Sequence, residues 1–312
     1  MKSETVRSLK LFSYPYEPNT GGNGYRFPQL RSRARVFRPP VSIGSNHLGA
    51  AEMSEIIQPS TLKVMTINVA HGRKNGFHQI LQKRSSIQVN LNDIVRVFMR
   101  EQPHVIALQE ADAPSRWSGH FDHVAYLARM SDYPFSVLAQ HVQKRVVSYG
   151  TALLSKLDLT NPLAITFPPS PPTPSKGATI CTVPWPGVPG TNAHVASVHL
   201  DFSRKSVRHR QVSEIIDNLS WRQGPLIVMG DFNCEWSSWN SPLRRLSEIL
   251  NLRPYRPDAA GLHTFPDLFM RLDWILISRE LEFLSHAVVD DVISDHFAVV
   301  SEIVLTQPSS PY

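Results

Sequence analysis

Residues 226–233 have the sequence LIVMGDFN, in which an apolar run ends on Gly230, Asp231 and Asn233. A short apolar run that is bounded by turn residues is typical of a buried strand. An unpaired charge at the edge of a core is costly, so Asp231 needs a partner or a metal ion. The stretch therefore predicts a buried strand that carries polar side chains to one edge of a sheet.

The same pattern recurs on both sides of this stretch. Polar residues end, interrupt or begin other apolar runs at Asn68, Glu110, His199, Asp273, Asp295 and His296. If several of these strand ends converge at one edge of a sandwich, they form a pocket rich in oxygen ligands and imidazole. Such a pocket suits Mg²⁺ or Mn²⁺ better than zinc, which prefers more sulfur and nitrogen.

The intervening segments predict how the chain is layered. Residues 91–100 and 206–219 have helical spacing of apolar residues, and the apolar runs between them are strand-like. Strands interleaved with a few helices indicate two packed sheets with helices outside, as one domain over residues 59–306. Residues 162–189 contain nine prolines, which predict a surface excursion.

The N-terminal residues 1–58 show no sustained period and predict a disordered basic leader, and residues 307–312 predict a short tail. The leader is rich in Arg and poor in acids, as organelle transit peptides are, but Met53 is an alternative start. Residues 1–59 hold eight Lys/Arg and four Glu, so most of the net charge of +6 lies there. The basic balance is therefore a weak argument for nucleic acid.

Composition excludes several classes of protein. Two cysteines, Cys181 and Cys234, cannot form a disulfide framework or a Cys-rich zinc site. No apolar stretch approaches the roughly 20 residues that cross a bilayer, which argues against a transmembrane segment. The N-terminus lacks the apolar region of a secretory signal, and we therefore expect a cytoplasmic location. We also expect a monomer.

Seven ordered motifs carry a resemblance to a known family. They are MTINVAHG (65–72), ALQE (107–110), YGTALLSK (149–156), SVHLD (197–201), MGDFN (229–233), RLDWILIS (271–278) and ISDHFAVV (293–300). Together they resemble the endonuclease/exonuclease/phosphatase superfamily of metal-dependent phosphoesterases, which includes deoxyribonucleases and sphingomyelinases. The resemblance implies a four-layer α/β/β/α sandwich of two mostly antiparallel sheets. It also implies Mg²⁺-dependent, in-line hydrolysis of a phosphodiester or phosphomonoester, with Mn²⁺ as an alternative ion.

The resemblance also implies roles for the strand-end residues. Glu110 is the expected main metal ligand, with Asn68 and Asp295 beside it. His296 is the expected general base for the attacking water, because imidazole exchanges a proton near neutral pH. Asp273 would accept a hydrogen bond from the other ring nitrogen and fix the tautomer, as in other carboxylate–imidazole pairs.

The remaining site residues are expected around the phosphate. Asp231 would position the attacking water, Asn233 would donate to the phosphate, and His199 would donate to a non-bridging oxygen as charge builds there. His71 and Thr151 are expected to line the pocket. Arg204 and Arg210, on the helix after His199, are candidates for binding the substrate or are simply part of a solvated helix face.

The substrate class stays open. Ala70, where abasic-site endonucleases usually have an acid, and Thr151, where they commonly have Asn, count against that branch. Trp236 and Trp239 could stack on bases, dip into a lipid interface or belong to the core. Nucleic acid, a lipid headgroup and a small molecule therefore remain alternative phosphate esters. A catalytically silent binding or scaffold protein with the same fold is the other hypothesis.

Overall fold

The computed structural model describes residues 11–13, 60–74, 76 and 82–306. Its helices are α1 (Arg84–Glu101), α2 (His123–Met130), α3 (Lys205–Leu219) and α4 (Pro242–Ile249). Its strands are β1 (Leu11–Ser13), β2 (Thr61–Asn68), β3 (Val105–Asp112), β4 (Phe135–Gln143), β5 (Ser148–Ser155), β6 (Thr160–Thr166), β7 (Gly177–Pro184), β8 (Asn192–His199), β9 (Leu226–Asp231), β10 (Arg253–Pro254), β11 (Asp273–Ile277), β12 (Leu281–Val289) and β13 (Ala298–Leu305). Short 3₁₀ helices cover Ala70–Gly72 and Pro266–Leu268.

These strands form two sheets. In the described part of the chain, one sheet has seven strands in the order β1-β4-β5-β3-β2-β13-β12, and the other has six in the order β10-β11-β9-β8-β7-β6. The pairs β2–β3 and β8–β9 are parallel, and each is joined by a crossover helix, α1 or α3. The other strand pairs described are antiparallel.

Three apolar clusters show that the sheets and helices form four layers. One cluster packs α1 and α2 on the seven-stranded sheet, and a second packs α3 and α4 on the six-stranded sheet. The third lies between the two sheets. Burying a large apolar side chain contributes about 1.5–3 kcal/mol, so these clusters hold the layers together. The predicted α/β/β/α sandwich of mostly antiparallel sheets is confirmed.

Strand alternation decides which polar residues face the space between the sheets. In β9, Ile227 and Met229 belong to the cluster between the sheets, and Val228 belongs to the helix-facing cluster. Because side chains alternate, Asp231 takes the same face as Met229. The same alternation places Asn68 of β2, His199 of β8 and Asp273 of β11 between the sheets. We call the edge where these four residues lie the site edge.

Gly230 allows the close approach of strands that precedes Asp231. Its φ is +147°, and a Cβ atom there would lie 2.0 Å from the carbonyl oxygen of Val198. A side chain at this position would push β9 away from β8. The glycine of the GDFN motif is therefore a packing requirement that keeps Asp231 in register with His199, its partner across the two strands.

Some sequence predictions need correction or lie outside the described residues. The predicted excursion over residues 162–189 is wrong in extent, because β6 and β7 occupy nearly half of it and residues 167–176 connect these two strands. Strand β12 and helix α4 were not predicted. The predicted disordered leader (1–58) lies outside the described residues apart from β1, and the predicted tail (307–312) lies outside them entirely. None of the described helices is long and apolar enough to span a membrane.

Candidate active site at the edge of the two sheets

His296 and Asp273 form a buried hydrogen-bonded pair at the site edge. His296 Nδ1 donates to Asp273 Oδ2 at 2.7 Å, and the side chains are 7% and 0% exposed. Thr264 supports the pair, because its hydroxyl donates to the same Asp273 oxygen at 2.7 Å and accepts from the Asp273 backbone N–H. The position of His296 is thus fixed through Asp273, which is itself fixed by Thr264.

The other ring nitrogen of His296 points towards Asp231. His296 Nε2 lies 4.0 Å from Asp231 Oδ2, too far for a direct hydrogen bond. Asp231 Oδ2 accepts from the side-chain amides of Asn68 and Asn233, each at 3.1 Å. Asn233 has φ of +50°, and its backbone N–H donates to Asp231 Oδ1 at 2.9 Å. The GDFN turn therefore folds back to hold its own aspartate.

On the opposite side of Asp231, His199 is covered by a buried lysine. Lys176 is 5% exposed, and its ammonium lies 2.9 Å from His199 Nε2 and 3.3 Å from Glu110 Oε1. His199 Nε2 is also 3.4 Å from Asp231 Oδ2. Lys176 thus brings a positive charge to the point where the ends of the two sheets meet.

A bulge turns Glu110 into the site. Leu108 faces the helices, and the pairing of β3 with β5 shifts between Leu108 and Ala111. Glu110 lies in this irregularity with φ of +52°, a conformation that non-glycine residues adopt rarely. The bulge re-aims the carboxylate, whose Oε2 lies 3.3 Å from His71 Nε2. His71 also donates from Nδ1 to buried Asp112 at 3.1 Å.

Burial and neighbouring charges shift the pKa values of the acids and histidines in opposite directions. Burial raises the pKa of Glu110, but the positive charges of His71 and Lys176 outweigh it and hold that pKa well below its usual range. Burial, with the neighbouring Asp273 carboxylate, raises the pKa of Asp231 to about 7 although His296 opposes this. Burial lowers the pKa of His71, but Asp112 and Glu110 together raise it.

The two site histidines near Asp231 differ. Burial alone would lower the pKa of His296, but the carboxylates of Asp273 and Asp231 raise it to about 10. Burial and the ammonium of Lys176 instead lower the pKa of His199 well below its ordinary value. His296 therefore binds a proton strongly, and His199 stays neutral.

The structure brings most of the predicted site residues together, and it places three elsewhere. Thr151 is fully buried between the sheets, where its hydroxyl contacts His141 Nε2 at 2.8 Å and Thr179 at 2.7 Å. Arg204 is exposed and donates to the carbonyl of Pro171, and Arg210 is exposed on α3. Thr151 is thus behind the site, and the two arginines have no described contact with its carboxylates.

Asp295 lies beside the site in an ion pair. Its Oδ2 accepts from Arg73 Nη2 at 2.7 Å, and its Oδ1 accepts from the Ser294 hydroxyl. Burial, His71, Lys176 and His199 affect the pKa of Glu110 more strongly, and Arg73 lowers it further. Arg73 therefore pairs with Asp295 and also acts electrostatically on Glu110.

Two residues of the site were missed at the sequence level. Lys176 directly precedes β7, and because β7 runs antiparallel to β8, the start of β7 lies at the same edge as the end of β8. That placement could have identified Lys176 as a site residue, although the surrounding prolines favoured an irregular segment. Thr264 lies nine residues before Asp273 in an irregular loop, and no local pattern marks it.

Comparison with known proteins agrees with this geometry. The model of the Endonuclease/Exonuclease/phosphatase family matches residues 65–296, which is most of the chain. The chain belongs to this family. Membership indicates a hydrolase that acts on phosphoester bonds, in a family that generally depends on divalent metals. No curated protein sequence is significantly similar to the chain.

Solved structures of the family share the fold. The human Nocturnin catalytic domain, with a bound sulfate anion, is 21% identical, covers 80% of this chain and 96% of its own, and has a TM-score of 0.62. A family member from Beutenbergia cavernae DSM 12333 is 20% identical over 79% of this chain and 72% of its own, with a TM-score of 0.59. Humanized TDP2 of D. rerio is 14% identical over 78% and 99%, with a TM-score of 0.57.

The donor set fits the divalent ion on which the family generally depends. Glu110, Asp231 and Asp273 place three largely buried carboxylates at the site edge, and Asp273 Oδ1 is buried without a hydrogen-bond partner among the described residues. Asp231, Asp273 and His296 each offer a ligand atom within 4.8 Å of the others. However, His296 Nδ1 and Asp273 Oδ2 are already bonded to each other. Glu110, with Asn68, is the ligand that the resemblance implies, and its carboxylate oxygens suit Mg²⁺ or Mn²⁺.

Proposed function

We propose that this chain is a Mg²⁺- or Mn²⁺-dependent phosphoesterase that cleaves its substrate by in-line attack of water, with His296 as the general base. The observation that carries the proposal is the His296–Asp273 pair, whose second imidazole nitrogen faces Asp231 across 4.0 Å. This separation suits a water molecule that contacts both groups, since each contact would be of hydrogen-bond length. Nuclease and lipid or small-molecule phosphoesterase are the alternatives within this function.

Asp231 and His296 prepare the attacking water. Asp231 Oδ2 is held by Asn68 and Asn233, so it can accept from the water in a fixed direction. The neutral form of His296 then takes the proton at Nε2, and Asp273 stabilises the imidazolium that results. Because Asp273 is itself held by Thr264, the base needs little rearrangement during the reaction.

Lys176 and His199 face the developing charge on the phosphate. The Lys176 ammonium has three donors; His199 and Glu110 take two, so the third can donate to a phosphoryl oxygen. This assigns to Lys176 the donor role that the motifs suggest for His199, because His199 Nε2 accepts from Lys176. Both N–H groups of the Asn233 side-chain amide are used by Asp231 Oδ2 and by the carbonyl of Leu200, so the donor role predicted for Asn233 is not part of this proposal.

Glu110 and Asn68 would hold the metal ion. Asp295 is paired with Arg73, whose positive charge also acts on Glu110. When bound, the ion supplies positive charge that polarises a phosphoryl oxygen and offsets the charge of the carboxylates. The bulge at Glu110 and the contact with Lys176 orient the ligand carboxylate towards the side of the site that Asp231 also faces.

A hydrolysis panel tests this proposal. It includes supercoiled DNA, single-stranded RNA, sphingomyelin vesicles, phosphoinositides and bis(p-nitrophenyl) phosphate, each with Mg²⁺ or Mn²⁺ and with EDTA. We expect metal-dependent turnover that His296→Ala lowers by about 10²–10⁴-fold. His104→Ala, at the opposite edge of the sandwich, is the matched control. Full activity of His296→Ala would refute the assignment of the base, and no turnover of any substrate by the native chain would favour the binding-protein hypothesis.

A further inference from the structure

A basic pocket adjoins the site on the side of the seven-stranded sheet. Its volume is about 710 Å³, and its lining residues are Pro114, Ser115, Arg116, His120, Arg145 and Val146. These residues come from the loop after β3 and from the turn between β4 and β5, both of which lie at the site edge. The volume falls within the range of about 300–1,000 Å³ that is usual for small-ligand pockets.

Backbone and hydroxyl hydrogen bonds build the walls of this basic pocket. The backbone N–H of Trp117 donates to the carbonyl of Val146 at 2.9 Å, which joins the loop to the turn. Within the loop, the His120 N–H donates to the carbonyl of Ser115 at 2.8 Å, and the side chains of Ser115 and Ser118 accept from each other's backbone N–H. The pocket is therefore a fixed part of the fold.

The loop that lines the basic pocket contacts the site through Trp117, which follows the lining residue Arg116. The ring of Trp117 lies edge-on to the ring of His71, with centroids 5.7 Å apart. His71 Nε2 is in turn 3.3 Å from Glu110 Oε2, on the proposed metal side of the site. A substrate whose scissile phosphate lies at Glu110 would therefore have its neighbouring group beside this pocket.

The charge of the basic pocket is not balanced by described residues. Arg116 and Arg145 are exposed, line the same pocket and form no ion pair with any acid in the described part of the chain. Other site-edge cations are paired, as Arg73 is with Asp295 and Lys74 with Asp93. Two guanidinium groups around one cavity repel each other, and an anionic ligand between them would relieve that repulsion.

We propose that this pocket binds the nucleotide next to the scissile phosphate of a single-stranded nucleic acid. This inference rests on the proposed function and names its substrate class. A strand has a phosphate at every nucleotide, which Arg116 and Arg145 can bind, and it has sugar and base surfaces that suit Pro114, Val146 and the guanidinium planes. A zwitterionic choline headgroup would place its cation against the same two arginines.

Exposed aromatic residues on the other side of the site fit the same substrate. Of the four exposed Phe and Trp side chains in the described residues, Phe202, Trp239 and Phe269 lie in loops at the site edge. Phe202 follows β8 and is 61% exposed, Trp239 follows β9 and is 90% exposed, and Phe269 precedes β11 and is 78% exposed. Aromatic rings that stack on bases and arginines that bind phosphates are the usual elements of single-strand recognition.

Binding of a fluorescent single-stranded oligonucleotide, followed by anisotropy in EDTA, tests the proposal without turnover. We expect Arg116→Ala/Arg145→Ala to weaken binding by about ten- to a hundredfold and to make its affinity less dependent on salt. The matched control is Arg129→Ala/Arg279→Ala, which removes the same charge at exposed positions on the opposite edge. We expect this control to bind like the native chain.

Two further measurements separate this inference from the proposed function. With Mg²⁺, the pocket variant should keep native turnover of bis(p-nitrophenyl) phosphate, which has no second phosphate for Arg116 and Arg145 to bind, and lose turnover of the oligonucleotide. Oligonucleotide binding unchanged in the pocket variant would overturn the inference, and so would pocket-dependent binding to phosphoinositide vesicles without binding to the oligonucleotide. If no chain cleaves the small diester, the proposed function fails, while the anisotropy result still decides the pocket.

Discussion

Replacing Asp273 with Asn tests the electrostatic logic of the site, because it removes one charge and keeps nearly the same shape. Asp273 is fully buried. Burial alone would lower the pKa of His296, but the carboxylate of Asp273, with those of Asp231 and Asp295, raises it to about 10. An Asn at this position can still accept from Thr264, but it no longer stabilises an imidazolium. Removing one partner from a buried ion pair costs about 3–5 kcal/mol, and we expect about 3 kcal/mol here because the Thr264 bond survives.

The sign of the pH dependence follows from the raised pKa. A histidine whose pKa is higher in the folded protein contributes stability that is fully present below its ordinary value of 6.5 and is lost as the pH rises through about 10. The difference in unfolding free energy between the native chain and Asp273→Asn should therefore be largest near pH 6 and shrink towards pH 10. Asp231 and Asp295 also face His296, and they are unchanged in both proteins.

Urea unfolding in EDTA at several pH values measures this difference, and Asp258→Asn, at an exposed position, is the matched control. In the presence of Mg²⁺, the same Asp273→Asn variant should lose about 10²–10⁴-fold in turnover. A difference in stability that does not change with pH would refute the charge argument. Turnover within twofold of native would refute the role of Asp273 in orienting the base.

Two other substitutions test the metal side of the site. Glu110→Gln should weaken Mn²⁺ binding, measured by calorimetry, by at least about tenfold, because a neutral amide replaces the main ligand; equal affinity would exclude Glu110 as a ligand. Lys176→Met should raise the pKa of His199, followed by NMR in EDTA, because the ammonium that lowers it is gone, and should reduce turnover by about 10–100-fold. Lys63→Met, whose ammonium pairs with Glu101, is the control, and an unchanged His199 titration in Lys176→Met would contradict the assignment.

The sequence predicts the layers of this fold because alternation in its strands is clear. Apolar residues at every second position of β2, β8, β9 and β11 face the other sheet, and the polar residue that ends or begins each strand continues that alternation. Convergence of Asn68, His199, Asp231 and Asp273 could therefore be inferred from periodicity alone. Strand β12 was missed because seven of its nine residues are half-buried or exposed, with polar and apolar types in no regular order.

The contacts that alternation does not determine could not be predicted. Glu110 reaches the site only through a bulge and a positive φ, and strict alternation of β3 would turn it towards the helices. Lys176 depends on where an irregular, proline-rich connection returns to β7. Thr151 follows a recognised motif, but its hydroxyl is used in the contacts with His141 and Thr179. Local sequence gives the residue type at these positions, and tertiary packing gives the direction in which it points.

The two central histidines of the site, His296 and His199, have neighbours of opposite charge. His296 lies among carboxylates and His199 lies against an ammonium, so two buried imidazoles near one aspartate have pKa values shifted in opposite directions. Groups whose pKa values are pushed apart in this way can take different roles in one reaction. We assign His296 to proton transfer, and His199, whose Nε2 accepts from Lys176, to aiming that ammonium. Asp231 lies between them, 4.0 Å from one imidazole and 3.4 Å from the other, where the water and the phosphate must meet.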